Sequence, residues 1–300
     1  MSVSQVLEVA IGLIFVFYVL GSIISFVTRL ILDSAETRGA ALETHLKRIA
    51  GDKTVDLVNL PQLKALQPIR YKGWTGVFGA KTELKKLEKV PVNTLVDAFF
   101  DMTGLTGRPN VDAAELTAIV AQMPESEAKQ AMLKWIQQGV TNFNELRTRA
   151  NDYFSGILVQ ASATFKANAR SVVIILSAIL VLGLGTDSVQ IAKDLWNNAE
   201  MRTVAAAKAT MVAQQEGGGI EDLNQILQHL SETNIRFTWW HIQDTFPPNS
   251  GAPWAEFILL KIVGLALSVL AVSQGSSFWY DILKKLTGKT SNPLTDEAKG

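Results

Sequence analysis

The sequence predicts an all-α integral membrane protein: three transmembrane helices, a helical cytoplasmic domain and a smaller helical extracytoplasmic domain. Three observations predict it. Val9–Thr28 (VAIGLIFVFYVLGSIISFVT) is a run of twenty residues without a charge. At ~1.5 Å per helical residue this length matches the ~30 Å hydrocarbon core of a bilayer. Two further apolar stretches follow, at Ser171–Gly185 and Phe257–Val272. Basic residues are unevenly distributed around them: 19 Lys and Arg fall in 29–170, four in 186–254 (Lys193, Arg202, Lys208, Arg236) and four in 281–300.

Composition narrows the function classes. Net charge is zero, with 28 Lys and Arg against 28 Asp and Glu, so the basic excess typical of nucleic-acid binding is missing. No cysteine is present, which excludes disulfides, thiolate metal sites and cysteine nucleophiles. A hydrophobic share of 48% fits three crossings combined with sizeable polar parts.

In chain order, residues 1–8 (MSVSQVLE) form an extracytoplasmic N-terminus and 9–28 the first transmembrane helix. The flank lacks Lys and Arg and the run exceeds a signal-peptide core, so the reading is an anchor, not a cleaved leader. Residues 29–165 form the cytoplasmic helical domain and stalk. Within it, Asp33–Gly51 and Thr54–Leu66 have helix-forming composition, and 67–92, with Pro68, Gly73, Gly76, Gly79 and Pro91, reads as an ordered loop. Asn93–Met102 is expected to be a short helix capped by Asn93, and Asp112–Gln122 another. Helix resumes from Glu125 with a break near Gly139–Asn142. A single helix without proline then runs from Asn144 to Gly185, its end being the second transmembrane helix at 166–186. Residues 187–253 make the extracytoplasmic helical domain, helical over Ser188–Gln215, broken at Gly217–Gly219 and helical again over Ile220–Ser231. The third transmembrane helix is expected at 254–280, followed by a cytoplasmic tail at 281–300. The positive-inside rule orients the chain with the N-terminus outside and the C-terminus in the cytoplasm, because Arg29, Arg38, Lys166, Arg170, Lys284 and Lys285 flank the spans on one side.

Candidate functional residues are few. His45, His229 and His241 stand in no ligand spacing, and no nucleophile elbow, phosphate loop or dinucleotide fingerprint is present. The reading therefore carries no catalytic residue, no metal site and no cofactor. Lys261 lies seven residues inside Trp254, and charges at membrane depth mark function by default. Two readings stand: Lys261 snorkels outward, helped by Glu256, or pairs with Glu8 on the first span, with snorkelling preferred. Small residues mark close helix approach: Gly21 and Ser25 on the first span, and Gly264, Ser268, Ala271 and Gly275 along one stripe of the third. Trp254 at one end, and Phe278, Trp279, Tyr280 and Asp281 at the other, are expected to anchor the third helix at the two interfaces.

The segment Gly275-Ser-Ser-Phe-Trp-Tyr-Asp-Ile-Leu-Lys-Lys-Leu286 resembles the end of the last span in a family of uncharacterised bacterial three-span inner-membrane proteins, where it reads Gly-Ala-Pro-Phe-Trp-Phe-Asp. Glu36-Thr37-Arg38, Asp187, Ile191-Ala192 and Leu195-Trp196 are similar as well. Ser276 and Ser277 stand where the family carries Ala-Pro. The resemblance implies three crossings and brings no activity, cofactor or catalytic residue. Together these readings lead to the expectation of a non-catalytic anchor or scaffold in a bacterial inner membrane. Its partners are then the lipid bilayer and other proteins or further copies of itself, not nucleic acid. The alternative is a subunit of an oligomeric pore or channel.

Overall fold

The computed structural model describes residues 3–72, 81–106, 112–214 and 253–286, with the single positions 239 and 246. The segments read from sequence as Gly217–Gly219 and Ile220–Ser231, His229, His241, most of Phe237–Pro253 and the tail beyond 286 lie outside the described residues. Among the described residues, three helices are long and apolar enough to cross a membrane: Gln5–Ser34, Phe143–Leu184 and Trp254–Val272. The chain divides into two compact units, one of residues 32–169 and one of 1–31 with 170–300.

The unit of residues 32–169 contains α2 (Thr37–Ala50), two short helices α3 (Thr54–Val58) and α4 (Pro61–Lys64), α5 (Val92–Thr103), α6 (Ala113–Ala121), α7 (Glu127–Gln137) and the first part of α8 (Phe143–Leu184). Local chemistry sets the boundaries. Asp112 accepts a hydrogen bond from the Glu115 N–H, Ser126 from Lys129 and Asn142 from Glu145, each satisfying a free donor of a first helical turn. Gly104 and Gly139 close α5 and α7 at φ +74° and +104°, where a side chain is disfavoured. The core forms because apolar residues recur every three or four positions. Leu42, Leu46 and Ile49 of α2 meet Leu95, Val96 and Phe99 of α5 and Leu146, Phe154 and Ile157 of α8. Phe99 stacks edge-on against both Phe100 and Phe154.

Two details differ from the sequence reading. Helix α5 starts at Val92 after Pro91, whose fixed φ suits a helix start, so Asn93 is inside the helix and is not its cap. The stretch read as a loop holds an antiparallel pair, β1 (Ile69–Lys72) and β2 (Lys81–Leu84), with Ile69 opposite Leu84.

On the flank of this unit, Arg48 Nε donates to Glu127 Oε2 at 2.9 Å, Arg48 Nη2 lies 2.8 Å from the same oxygen, and the Tyr153 hydroxyl donates to it at 3.4 Å. The hydrogen bond from Arg48 holds the Glu127 carboxyl below the usual carboxylate range. Burial, reinforced by the Glu127 charge, pushes the Tyr153 hydroxyl up.

The second unit contains α1 (Val3–Ser34) up to Ile31, the end of α8 from Arg170, α9 (Ser188–Asn197), α10 (Ala199–Gln214), α11 (Pro253–Val272) and α12 (Ser276–Leu286). Its core centres on α1. Val16, Phe17, Leu20 and Ile24 pack with Val181, Ile191, Leu195, Ala205 and Val272, while Phe15, Tyr18 and Val19 pack with Ala209, Val212, Ala213 and Leu283. The small side chains of α10 allow this approach, and a Cβ on Gly12 of α1 would stand 3.3 Å from the Ala205 methyl.

This packing brings together segments that the sequence reading kept apart. Ala199–Gln214, assigned to a separate extracytoplasmic domain at 187–253, lies against the middle of the first span and shares a core with Leu283 of the expected cytoplasmic tail. Helix Ser188–Gln215 is also two helices, broken at Asn198, whose side chain accepts from Met201 N–H at 3.1 Å and caps the second.

The third span differs too. It is not one helix over 254–280: α11 ends at Val272, the chain turns at Gly275 (φ +81°), and α12 starts at Ser276. The turn favours glycine for its left-handed backbone. The Trp279 indole N–H donates to the Ala271 carbonyl at 2.7 Å, which also accepts from the Gln274 N–H at 3.2 Å. Helix α12 then lies along α1, with the Trp279 ring 5.1 Å from Phe17 and Tyr280 6.4 Å from Tyr18.

Candidate functional site

The strongest concentration of polar chemistry at an apolar span is a buried centre built from the end of α8, the start of α9 and the middle of α11. Helix α8 stops at Gly185, which takes φ +69°. Two residues later Asp187 caps α9: its Oδ1 accepts from the Val189 N–H at 2.9 Å and from the Gln190 N–H at 3.2 Å. Its Oδ2 lies 3.2 Å from Lys261 Nζ. Both side chains are withdrawn from solvent, Asp187 5% exposed and Lys261 12%. The ammonium also stands 5.6 Å from the Phe257 ring centroid, within cation–π range.

Gly264 makes the pair possible. A Cβ at this position would stand 1.8 Å from Asp187 Oδ1, so the carboxylate occupies the space a side chain would take. One helical turn on, Ser268 lies fully buried. Its Oγ is 2.6 Å from Ser188 Oγ, accepts from the Ser188 N–H at 2.9 Å and donates to the Gly264 carbonyl at 3.0 Å. The centre thus holds one anion, one cation and two hydroxyls, nearly all engaged with one another. A cavity of about 70 Å³ adjoins it, lined by Asp187, Gln190, Lys193 and Lys261.

Both sequence readings of Lys261 are corrected here. The lysine does not reach outward past Glu256, because a carboxylate from α9 meets it inside. Nor is Glu8 its partner: Glu8 Oε2 accepts from Arg202 Nε of α10 at 3.1 Å. Arg202 Nη1 also donates to the Leu195 and Trp196 carbonyls at the end of α9. Each charge is met by the element the chain folds against it, and distance along the spans alone did not reveal which.

The small residues gather at two contacts. Gly264 and Ser268 serve the ion-pair centre. Gly21 serves the α11–α12 corner, where its Cβ would stand 3.0 Å from both Gly275 C and Ser276 N, and Ser25 Oγ is 3.3 Å from Ser276 Oγ. Ala271 provides the carbonyl that Trp279 caps. The aromatic residues divide. Trp254 and Phe278 are exposed, while Trp279 and Tyr280 are partly buried against α1. Asp281 is exposed on α12. Asp187 is the partner of Lys261 that sequence reasoning missed; the run Gly185-Thr186-Asp187-Ser188 after an apolar stretch carries the stop-and-cap signal that marks it.

Among the described residues, no three His, Asp or Glu side chains gather as a metal ion would require. His45 Nε2 lies 3.1 Å from Thr164 Oγ1, a packing contact between α2 and α8. In comparisons with protein-family models, curated proteins and solved structures, nothing matches the chain.

Proposed function

We propose that the chain is a non-catalytic membrane anchor and scaffold subunit of a bacterial inner membrane, holding the unit of residues 32–169 at the cytoplasmic surface for assembly with other proteins or with further copies of itself. One observation carries the reading: the three apolar helices are covered very unequally. The apolar window of the first is 61% buried within the chain, those of the second and third only 11% and 17%. Ile174, Ile175, Ile179 and Leu182 on α8, and Ile258, Leu259, Ile262, Val263, Leu267 and Leu270 on α11, are exposed. A surface this apolar calls for lipid or another apolar helix face, which is what an anchor presents. Unit 32–169 has its own aromatic core, as a displayed module needs.

The cytoplasmic assignment rests on the basic flanks Arg29, Arg38, Lys166 and Arg170. The absence of cysteine from the sequence makes it directly testable. Asp56→Cys, at an exposed position, is expected to resist a membrane-impermeant maleimide in intact spheroplasts and to react after permeabilisation. Labelling before permeabilisation would reverse the orientation, and release of the chain by alkaline carbonate would remove the anchor. Assembly is read from the mass of the detergent-extracted complex and its co-purifying proteins.

A pore subunit is the second reading, favoured by one observation: the Asp187–Lys261 centre places charge and a small cavity beside an apolar helix. Conductance in liposomes separates the two. An ion current abolished by Asp187→Asn would establish the pore.

A further inference from the structure

We infer that a cleft in the unit of residues 32–169 is a binding site for the anionic headgroup of a membrane phospholipid, with the adjoining acyl chain lying along its apolar wall. The inference rests on the anchor reading, which brings this cleft to the anionic cytoplasmic leaflet. The cleft has a volume of about 710 Å³ and lies between the first turns of α2, residues 88–92 and the 155–166 stretch of α8.

Its chemistry is two-sided. Arg38, Lys89 and Lys166 line it and are exposed, and Glu88 is the one carboxylate lining it. Among the described residues none of these three cations has a carboxylate within ion-pair distance, whereas the nearby Lys86 is already paired with Glu43 at 2.7 Å. The Arg38 guanidinium is held 5.7 Å from the Phe165 ring centroid, presenting its planar donors over an apolar face. Guanidinium and ammonium groups around an open cleft suit a phosphodiester. The apolar wall includes Leu42, Leu158 and the strongly exposed Val159. A free phosphate would leave that wall wet; a lipid covers both halves.

Position commits the occupant. Lys166 stands on α8 five residues before Ser171, where the second apolar run starts, and Arg38 follows the first apolar run by ten residues. Basic clusters immediately cytoplasmic of spanning helices are where anionic headgroups concentrate.

The test is native mass spectrometry of the full chain in detergent, titrated with phosphatidylglycerol, with phosphatidylcholine of the same acyl chains, and with inorganic phosphate. The expected result is one phosphatidylglycerol held in preference to phosphatidylcholine and not displaced by millimolar phosphate. Arg38→Gln with Lys166→Gln should weaken it about tenfold or more, and Glu88→Gln should strengthen it about threefold. Equal retention of both lipids, displacement by phosphate, or unchanged binding in the double variant would overturn the inference. Should the double variant fail to fold, Glu88→Gln decides alone, and no gain in binding counts against the site. Carbonate extraction of the same variants keeps the two readings apart: a chain that stays in the membrane yet shows no headgroup preference removes the cleft and leaves the anchor.

Discussion

Removing one member of the Asp187–Lys261 pair should cost far more than removing both. Lys261→Met leaves a carboxylate that is 5% exposed without its cation. Breaking a buried pair in this way costs about 3–5 kcal/mol. Here the Val189 and Gln190 N–H groups still hold the carboxylate, which points to the lower end, ~3 kcal/mol. Asp187→Asn keeps a capping side chain and strands the ammonium, which its long stem partly relieves, so ~2 kcal/mol is expected. The double variant leaves two neutral side chains of similar volume and should lie within ~1–2 kcal/mol of the parent. The coupling between the sites is then about 3–4 kcal/mol. The assay is reversible unfolding of the full chain in mixed micelles, followed by tryptophan fluorescence, across the four-protein cycle. Additive losses would refute a direct pair. Adding Glu8→Gln to Lys261→Met separates the rival pairing: it should not rescue, and should add a loss of its own, because Arg202 then loses its carboxylate.

Further outcomes follow from the same geometry. Gly264→Ala puts a methyl 1.8 Å from Asp187 Oδ1, must expel the carboxylate, and should cost ~3 kcal/mol in the same unfolding assay; in an Asp187→Ala background the added cost should fall by more than half. At the corner, Gly275→Ala forces an L-residue to φ +81° and should cost ~1 kcal/mol, and Trp279→Phe, which deletes one of two donors to the Ala271 carbonyl, about half as much. Glu127 gives a pH signature: its folded carboxyl titrates below the unfolded value of ~4.3, so its stabilisation is present above that value and lost as pH falls through the lower folded one. The thermal midpoint of the full chain should therefore drop on going from pH 6 to pH 3, and less steeply in Glu127→Gln.

What could be read from sequence follows from how local each signal is. Helix α8 was legible because no glycine stop or proline interrupts Asn144–Leu184, and the caps Asp112 and Gly51 announce themselves by residue type. The corner at Gly275 was hidden because a glycine near a span's end reads equally as a packing surface, and Trp279 with Tyr280 equally as interfacial anchors. The place of α10 was not legible at all: a helix whose buried face is Ala205, Ala209, Val212 and Ala213 has weak amphipathicity and therefore no stated direction in which to pack. The same holds for the charge centre, where Lys261 identified itself as anomalous but its partner depended on a fold of the chain between α8 and α9.

The enclosure of α1 has a consequence for biogenesis. Phe15, Tyr18 and Val19 leave the ribosome long before Leu283, which closes over them. During synthesis that aromatic face has no native neighbour and must rest in lipid or against the insertion machinery. The finished arrangement therefore arises by late displacement of those temporary companions, and truncation after Val272 should leave an inserted protein whose first helix never finds its permanent surroundings.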